Sequence, residues 1–296
     1  MSRKAPRRSL LALRALLRDR GALISLGFLS ILVAMAAGAG LLPIEPMRQN
    51  ILHALEAPSA SNWFGTDELG RDILARVIYG ARTSLQTAGG AVAIAACIGI
   101  PMGLIAGYYG GWRDAVLMRM VDVLLALPGI LFAMAIIAVL GRSQMAALVA
   151  VGITGIPNFA RITRAQVLSL RSRDFVTAVE AFGASSQYAM FRTVLPNAWS
   201  PILVQAIVLA SLAILLEAAL AFLGIGVPPP TPSWGEMLRT GKNYLHEAPH
   251  YAILPGVALT LTILAFDTLG RALARVLEDR HDSGAGLAAA KEEGGR

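Results

Sequence analysis

Charge is scarce in this chain. Only 15% of its 296 residues are charged, whereas 55% are hydrophobic and the mean hydropathy is +0.60. Soluble domains carry roughly 25% charged residues. A chain of this size cannot hide so much apolar surface in its own core, so a bilayer is its natural solvent. Cysteine is nearly absent: Cys97 stands alone in an apolar run, which excludes an intrachain disulfide and any thiolate metal cluster. Aromatic residues make up 6%. The four histidines, His53, His246, His250 and His281, are scattered over loops and the tail, and the i, i+4 pair His246/His250 reads as part of a solvated loop. No G-x-x-x-x-G-K-[ST] segment occurs, so the phosphate cradle of a nucleotide hydrolase is missing. No Ser/His/Asp arrangement can be argued either. The expectation is a protein without catalytic residues, without a metal site and without a cofactor of its own.

What is present is a set of long apolar runs. Six spans are expected, at about 22–42, 85–108, 116–140, 146–165, 201–223 and 251–269. The first follows Arg3, Lys4, Arg7, Arg8, Arg14, Arg18 and Arg20, and it is too long for the apolar core of a cleaved signal peptide. A net charge of +7 and a pI near 10.1 could point to nucleic acid in a soluble protein. Here the cations flank the spans: 19 of the 26 Lys and Arg residues fall in or beside the segments 1–21, 109–115, 166–200 and 270–296. That asymmetry places those segments, and both termini, in the cytoplasm. No nucleic-acid partner is expected. The tail Ser283–Arg296, rich in Gly, Ala and charge, reads as disordered.

Three inter-span segments are unusual. The one between spans four and five is about thirty residues long and helix-forming, running through Phe175, Val176, Ala178, Ala181, Phe182, Gly183, Ala184 and then Leu195-Pro196. It reads as a helix-turn-helix flat on the membrane face, with Ala181, Phe182 and Ala184 as a knob for a soluble partner. The second, Phe64–Arg82, ends in an amphipathic stretch expected to lie on the outer membrane face. The third carries Pro228-Pro229-Pro230-Thr231-Pro232-Ser233-Trp234-Gly235, too proline-rich for a regular helix. Trp234 there is either an anchor for an external partner or an interfacial tryptophan.

Within the spans, Glu217 is either a pathway or gate residue or a structural hydrogen-bonding group, because a charge in hydrocarbon must face protein or water. Arg119 and Asp122, i and i+3, read as a local salt bridge. Gly89, Gly90, Gly99 and Gly103 read as close helix packing.

Five ordered motifs carry a family resemblance. They are Phe64-Gly65-Thr66-Asp67-Glu68-Leu69-Gly70-Arg71-Asp72, Met118-Arg119-Met120-Val121-Asp122 with Leu125-Ala126-Leu127-Pro128, Ala160-Arg161-Ile162-Thr163-Arg164, Leu215-Leu216-Glu217-Ala218-Ala219, and Pro230-Thr231-Pro232-Ser233-Trp234-Gly235. Together they resemble the dipeptide/oligopeptide/nickel permease family of ABC importers, in its "C" type. The resemblance implies an all-α integral membrane fold of six transmembrane helices, the type I ABC importer transmembrane domain. It divides the chain into a basic N-terminus 1–21, a first span with outer loop 22–80, the transmembrane domain 81–275 with coupling loop 175–196, and a cytoplasmic tail 276–296.

By the same resemblance Ala178, Ala181, Phe182, Gly183, Ala184, Leu195 and Pro196 couple to an ATPase; the length and rigidity of the outer loops make Asp67, Arg71, Asp72 and Trp234 the candidates for docking an external binding protein. The implied partners are a homologous second permease, two ATP-binding subunits that hold ATP and Mg, an extracytoplasmic substrate-binding protein and lipid. The implied location is the inner membrane, and the implied function is import of peptides, nickel, metallophores or a related solute. The sequence departs from the family where Glu-Ala-Ala is common before the glycine: Thr177-Ala178-Val179 stands there, with Glu180 displaced. The rival reading is a secondary transporter or channel, which needs substrate or ion residues near the midplane.

Overall fold

The computed structural model describes residues 19–293 apart from residue 42, with side chains described to residue 277. The basic segment before residue 19 lies outside the described residues. Helices α1 (Arg20–Gly38), α2 (Ile73–Tyr109), α3 (Gly111–Leu125), α4 (Gly129–Leu140), α5 (Gln144–Arg171), α6 (Asp174–Ala181), α7 (Leu195–Phe222), α8 (Trp234–Gly241) and α9 (His250–Glu293) follow in order. Helix α9 continues through most of the tail that composition marks as disordered.

Five helical stretches are long and apolar enough to cross a membrane, and α3 and α4, which meet at 88°, are together apolar enough for a sixth, broken one. The straight third span expected from hydropathy is thus broken. Pro128 supplies the reason: its ring and missing N–H oppose helix continuation, and it pushes Leu127 out of the helical region. Side chains cap the spans where the sequence offers them. Asp19 accepts from the Ala22 N–H at 3.1 Å, Asp72 from Leu74 at 3.0 Å and Ser143 from Ala146 at 3.0 Å.

Helix α2 contradicts another expectation. The amphipathic stretch after Arg71 does not lie flat but forms the first turns of a continuous 37-residue helix. At 1.5 Å per residue that helix is about 55 Å long, well beyond the ~30 Å of hydrocarbon. Its inward side chains, Ile73, Ala75, Arg76, Val77 and Ile78, are buried within the chain, Ile73 and Val77 against Met237 of α8 and Tyr251 of α9.

The centre of the bundle is the seam between α2 and α5. Gly99, Gly103 and Gly107 repeat every four residues, and a Cβ on each would lie 2.6 Å from the Ile156 carbonyl oxygen, 2.3 Å from that of Ala160 and 2.8 Å from Val167. No side chain fits between these helices, which is how apolar helices gain close contact in lipid. Gly90 does the same against Leu148, whereas Gly89 faces open space within the chain.

Candidate functional site

Three sites stand out, two at the ends of the bundle and one buried within it. At the end that carries α6, Val176, Val179, Ala189, Met190 and Val194 pack on Leu104 and Tyr108 of α2 and Val167 and Leu170 of α5. The Tyr108 hydroxyl donates to Glu180 Oε1 at 2.5 Å, so the displaced acid pins α6 to the second span. Helix α6 then ends in a Schellman turn: Ala184 N–H bonds to the Val179 carbonyl and Gly183 N–H to that of Glu180. Gly183 takes φ +83°, and a Cβ there would meet nothing within 4 Å.

Glycine is therefore required for its angle, not for room. Phe182 projects from the tip, 92% exposed, with Ala178, Ala181 and Gly183 exposed around it and Ala184 half-buried. Leu195 instead packs partly buried under the loop, and Pro196 sits exposed in the first turn of α7. The second half of the segment is no separate helix. The turn Ser186–Tyr188 and a π-helical stretch Ala189–Val194 feed straight into α7.

At the opposite end the proposed docking residues are structural. Asp67 is fully buried and accepts from the N–H groups of Leu69 and Arg71, both at 2.9 Å, and from Arg71 Nε at 2.6 Å. Arg76 Nε lies 3.3 Å from the same carboxylate, and Arg71 also donates to Glu68. Asp72, the cap of α2, is half-buried, and burial lifts its carboxyl above the ordinary range against the pull of the Leu74 N–H. Trp234 is fully buried and donates from Nε1 to the Val77 carbonyl at 3.0 Å. Gly80 leaves the room it needs, since a Cβ there would lie 2.9 Å from its ring, and Gly235 lets α8 press against Ala218 and Ala221 of α7. Trp234 is thus neither an external anchor nor an interfacial tryptophan. Trp234, Asp67 and Arg71 spend their polar groups on partners within the chain.

Glu217, the gate candidate, is fully buried between α2 and α8. Ser84 donates to its Oε2 at 3.1 Å, and Ser233, the cap of α8, also faces it. Thr83 meanwhile donates to the Pro232 carbonyl at 2.9 Å. The carboxyl fastens the proline-rich segment to two spans. In α8 the Glu236 carboxylate beside Arg239 holds the guanidinium pKa above its ordinary value.

Sequence spacing misassigned one ion pair. Asp122 bonds not to Arg119 but to Arg161 of α5 at 2.7 Å, and Asp114 takes two bonds from Arg164 at 2.5 and 2.6 Å. These partners lie on a neighbouring helix, where an i, i+3 argument cannot reach. Among the described residues, no three His, Cys, Asp or Glu side chains group as a metal site.

A multi-span helical membrane subunit with a rigid, solvent-facing knob, and with no phosphate-cradle motif of its own, is built as the transmembrane part of a larger transporter. Residues 99–282 match the family described as binding-protein-dependent transport system inner membrane component, and the chain belongs to it. Residues 9–58 match the N-terminal transmembrane domain of oligopeptide transport permease C.

The chain is 40% identical to the dipeptide transport system permease protein DppC of Alkalihalophilus pseudofirmus, across 92% of this chain and 90% of that one. It is 39% identical to the glutathione transport system permease protein GsiD of Pectobacterium atrosepticum, across 90% and 89%. Among solved structures, the inward-facing MetNI methionine ABC transporter aligns with a TM-score of 0.57 at 16% identity, over 69% of this chain and 97% of that one. An amino acid ABC transporter aligns with a TM-score of 0.53 at 17% identity, over 68% and 94%. These two likenesses show a shared transmembrane fold. Nothing among the relatives supports a secondary transporter or channel.

Proposed function

We propose that this chain is one of two permease subunits of an ATP-driven importer of short peptides or a peptide-like solute such as glutathione. The peptide class rests on what its relatives are named for. The observation that carries the mechanism is the knob at Phe182–Ala184: a large apolar side chain held out in solvent on a packed pedestal is costly unless another surface covers it. The occupant we assign is an ATP-binding subunit, with ATP and Mg on that subunit. Its closure on ATP would push α6, and the pedestal on α2 and α5 would pass the motion to the spans as a rigid-body rocking.

In this reading both termini and the knob face the cytoplasm of the inner membrane. The division is a basic N-terminus 1–21, first span and outer loop 22–80, transmembrane domain 81–275 and tail 276–296. A binding protein delivers solute to the opposite end, and a second permease completes the path.

The test is a cysteine placed at Phe182 in a Cys97→Ala background, in the transporter assembled with its neighbouring gene products. A short bifunctional thiol reagent should join it to an ATP-binding subunit, and ATP-dependent uptake of a labelled dipeptide should be present. Uptake without ATP, or a knob that joins nothing, would overturn the reading.

A further inference from the structure

The deposed gate residue leaves open where this chain meets the solute, and α5 answers it. This helix is the most buried of the spans, with 56% of its apolar window covered within the chain. From Ala146 to Arg164 only two of its residues are exposed, Asn158 and Arg161. A span that uncovers one stripe to lipid should uncover apolar residues there; this one uncovers an amide and a guanidinium. Half-buried Thr154 extends the stripe by one turn, since 154, 158 and 161 follow helical spacing. The Asn158 side chain forms no hydrogen bond within the described residues.

Two clefts open along this stripe. One of about 410 Å³ is lined by Asp114, Asp122, Arg161 and Arg164, and one of about 390 Å³, walled mainly by apolar side chains such as Val151, Leu209, Leu212 and Leu216, holds Thr154 and Asn158 as its polar groups. The Asp122–Arg161 pair is only half covered, at 51% and 55% exposure.

We propose that Thr154, Asn158 and Arg161 of α5, with Asp122 of α3, form this chain's wall of the aqueous translocation path, which carries small solutes bearing both charges and amide groups. This rests on the importer reading above. Asn158 offers a donor and an acceptor to an amide backbone. The half-exposed pair offers a cation to a carboxylate and an anion to an ammonium group, each at the cost of its partner's own bond. Both sides of the exchange are charge-assisted, so the solute is guided rather than trapped.

The test uses the assembled transporter in lipid nanodiscs, in a Cys97→Ala background, with single cysteines at Asn158, at Ala115 in the charged cleft, and at Ile31. Ile31 is 63% exposed on the peripheral helix α1 and serves as the lipid-facing reference. A charged thiol reagent reacts with thiolate in water and not with thiol in hydrocarbon. The expected result is labelling of the Asn158→Cys and Ala115→Cys variants at least tenfold faster than that of Ile31→Cys, slowed when the transporter is trapped with nucleotide. If Asn158→Cys reacts as slowly as Ile31→Cys while binding-protein-stimulated ATP hydrolysis is normal, the stripe is sealed against the second permease and this assignment falls alone. If labelling is fast but no ATP-dependent uptake exists in the assembled transporter, the importer reading falls and the wet stripe stands.

Discussion

The two ends of the bundle each hold an aromatic residue beside a glycine in a long inter-span segment, and they use the pair in opposite ways. At Phe182-Gly183 the glycine supplies a left-handed turn and the ring is 92% exposed. At Trp234-Gly235 Gly80 supplies space for the ring and Gly235 a close approach to α7, and the ring is fully buried, with its N–H on the Val77 carbonyl. One aromatic is presented and the other consumed. The difference lies in the receiving surface: α2 offers the Gly80 notch to Trp234, while α5 and α2 hold the pedestal under Phe182 and stop short of the ring.

The contrast breaks most visibly at Trp234. Trp234→Ala should destabilise the subunit by about 3–5 kcal/mol, as expected for a large buried aromatic. A denaturant titration of the detergent-purified subunit would read this, with reduced accumulation in the membrane. A variant that unfolds like the parent but no longer responds to binding protein would return Trp234 to the surface role that its sequence context invites.

Glu217 sharpens the same end by a smaller amount. Glu217→Ala leaves the Ser84 hydroxyl without its acceptor and should cost about 1–3 kcal/mol. Glu217→Gln keeps an oxygen for Ser84 and should stay near the parent in stability and in peptide uptake. A stable Glu217→Gln variant that abolishes uptake would make the carboxylate a gate after all.

Much of this was legible in the sequence, and what was not has one physical cause. Apolar run length found the spans, and the glycine after α6 announced its turn, because these are properties of a single segment. The break at Pro128 was visible as Leu-Pro, but hydropathy alone bridged it. The errors arose wherever a neighbour decides. Trp234 is buried against the distant Gly80 notch of α2, Asp67 and Arg71 spend their charges on each other one turn apart, and Asp122 found Arg161 rather than Arg119 because a helix packed beside it. Arg161 sat inside a family motif and Asn158 just before it, and no spacing rule reports their exposure. The family itself was legible, since five ordered motifs survive any error in burial.

Gly183 is expected to show a smaller cost than Glu217→Ala at the upper end of its range. Its φ of +83° is unfavourable for a side chain, and Gly183→Leu should lose about 1–2 kcal/mol locally. Space is not the problem, so Gly183→Asn, which tolerates this region better, should retain more ATP-coupled uptake than Gly183→Leu. Equal loss in both variants would mean that contact with the partner, not backbone angle, sets the requirement.

Phe182→Ala has the smallest expected effect on the subunit itself and gives the cleanest separation of the two ends. The side chain touches almost nothing in this chain, so stability should change by no more than about 0.5 kcal/mol. The pedestal beneath it, with Tyr108 bonded to Glu180, is untouched by the truncation. If the ring seats in an ATP-binding subunit, its loss removes a buried aromatic anchor from that contact, the kind of residue whose truncation costs about 2 kcal/mol or more. That corresponds to a weakening of subunit association by roughly thirtyfold, since each 1.4 kcal/mol is a factor of ten. The measurement is the concentration of ATP-binding subunit needed for half-maximal uptake in proteoliposomes, with thermal stability of the permease as the control. Trp234→Ala should fail the control and Phe182→Ala should fail only the titration. If Phe182→Ala binds its ATPase as the parent does, the knob is a bare surface hydrophobe and coupling must run through the exposed face of Ala178 and Ala181 instead.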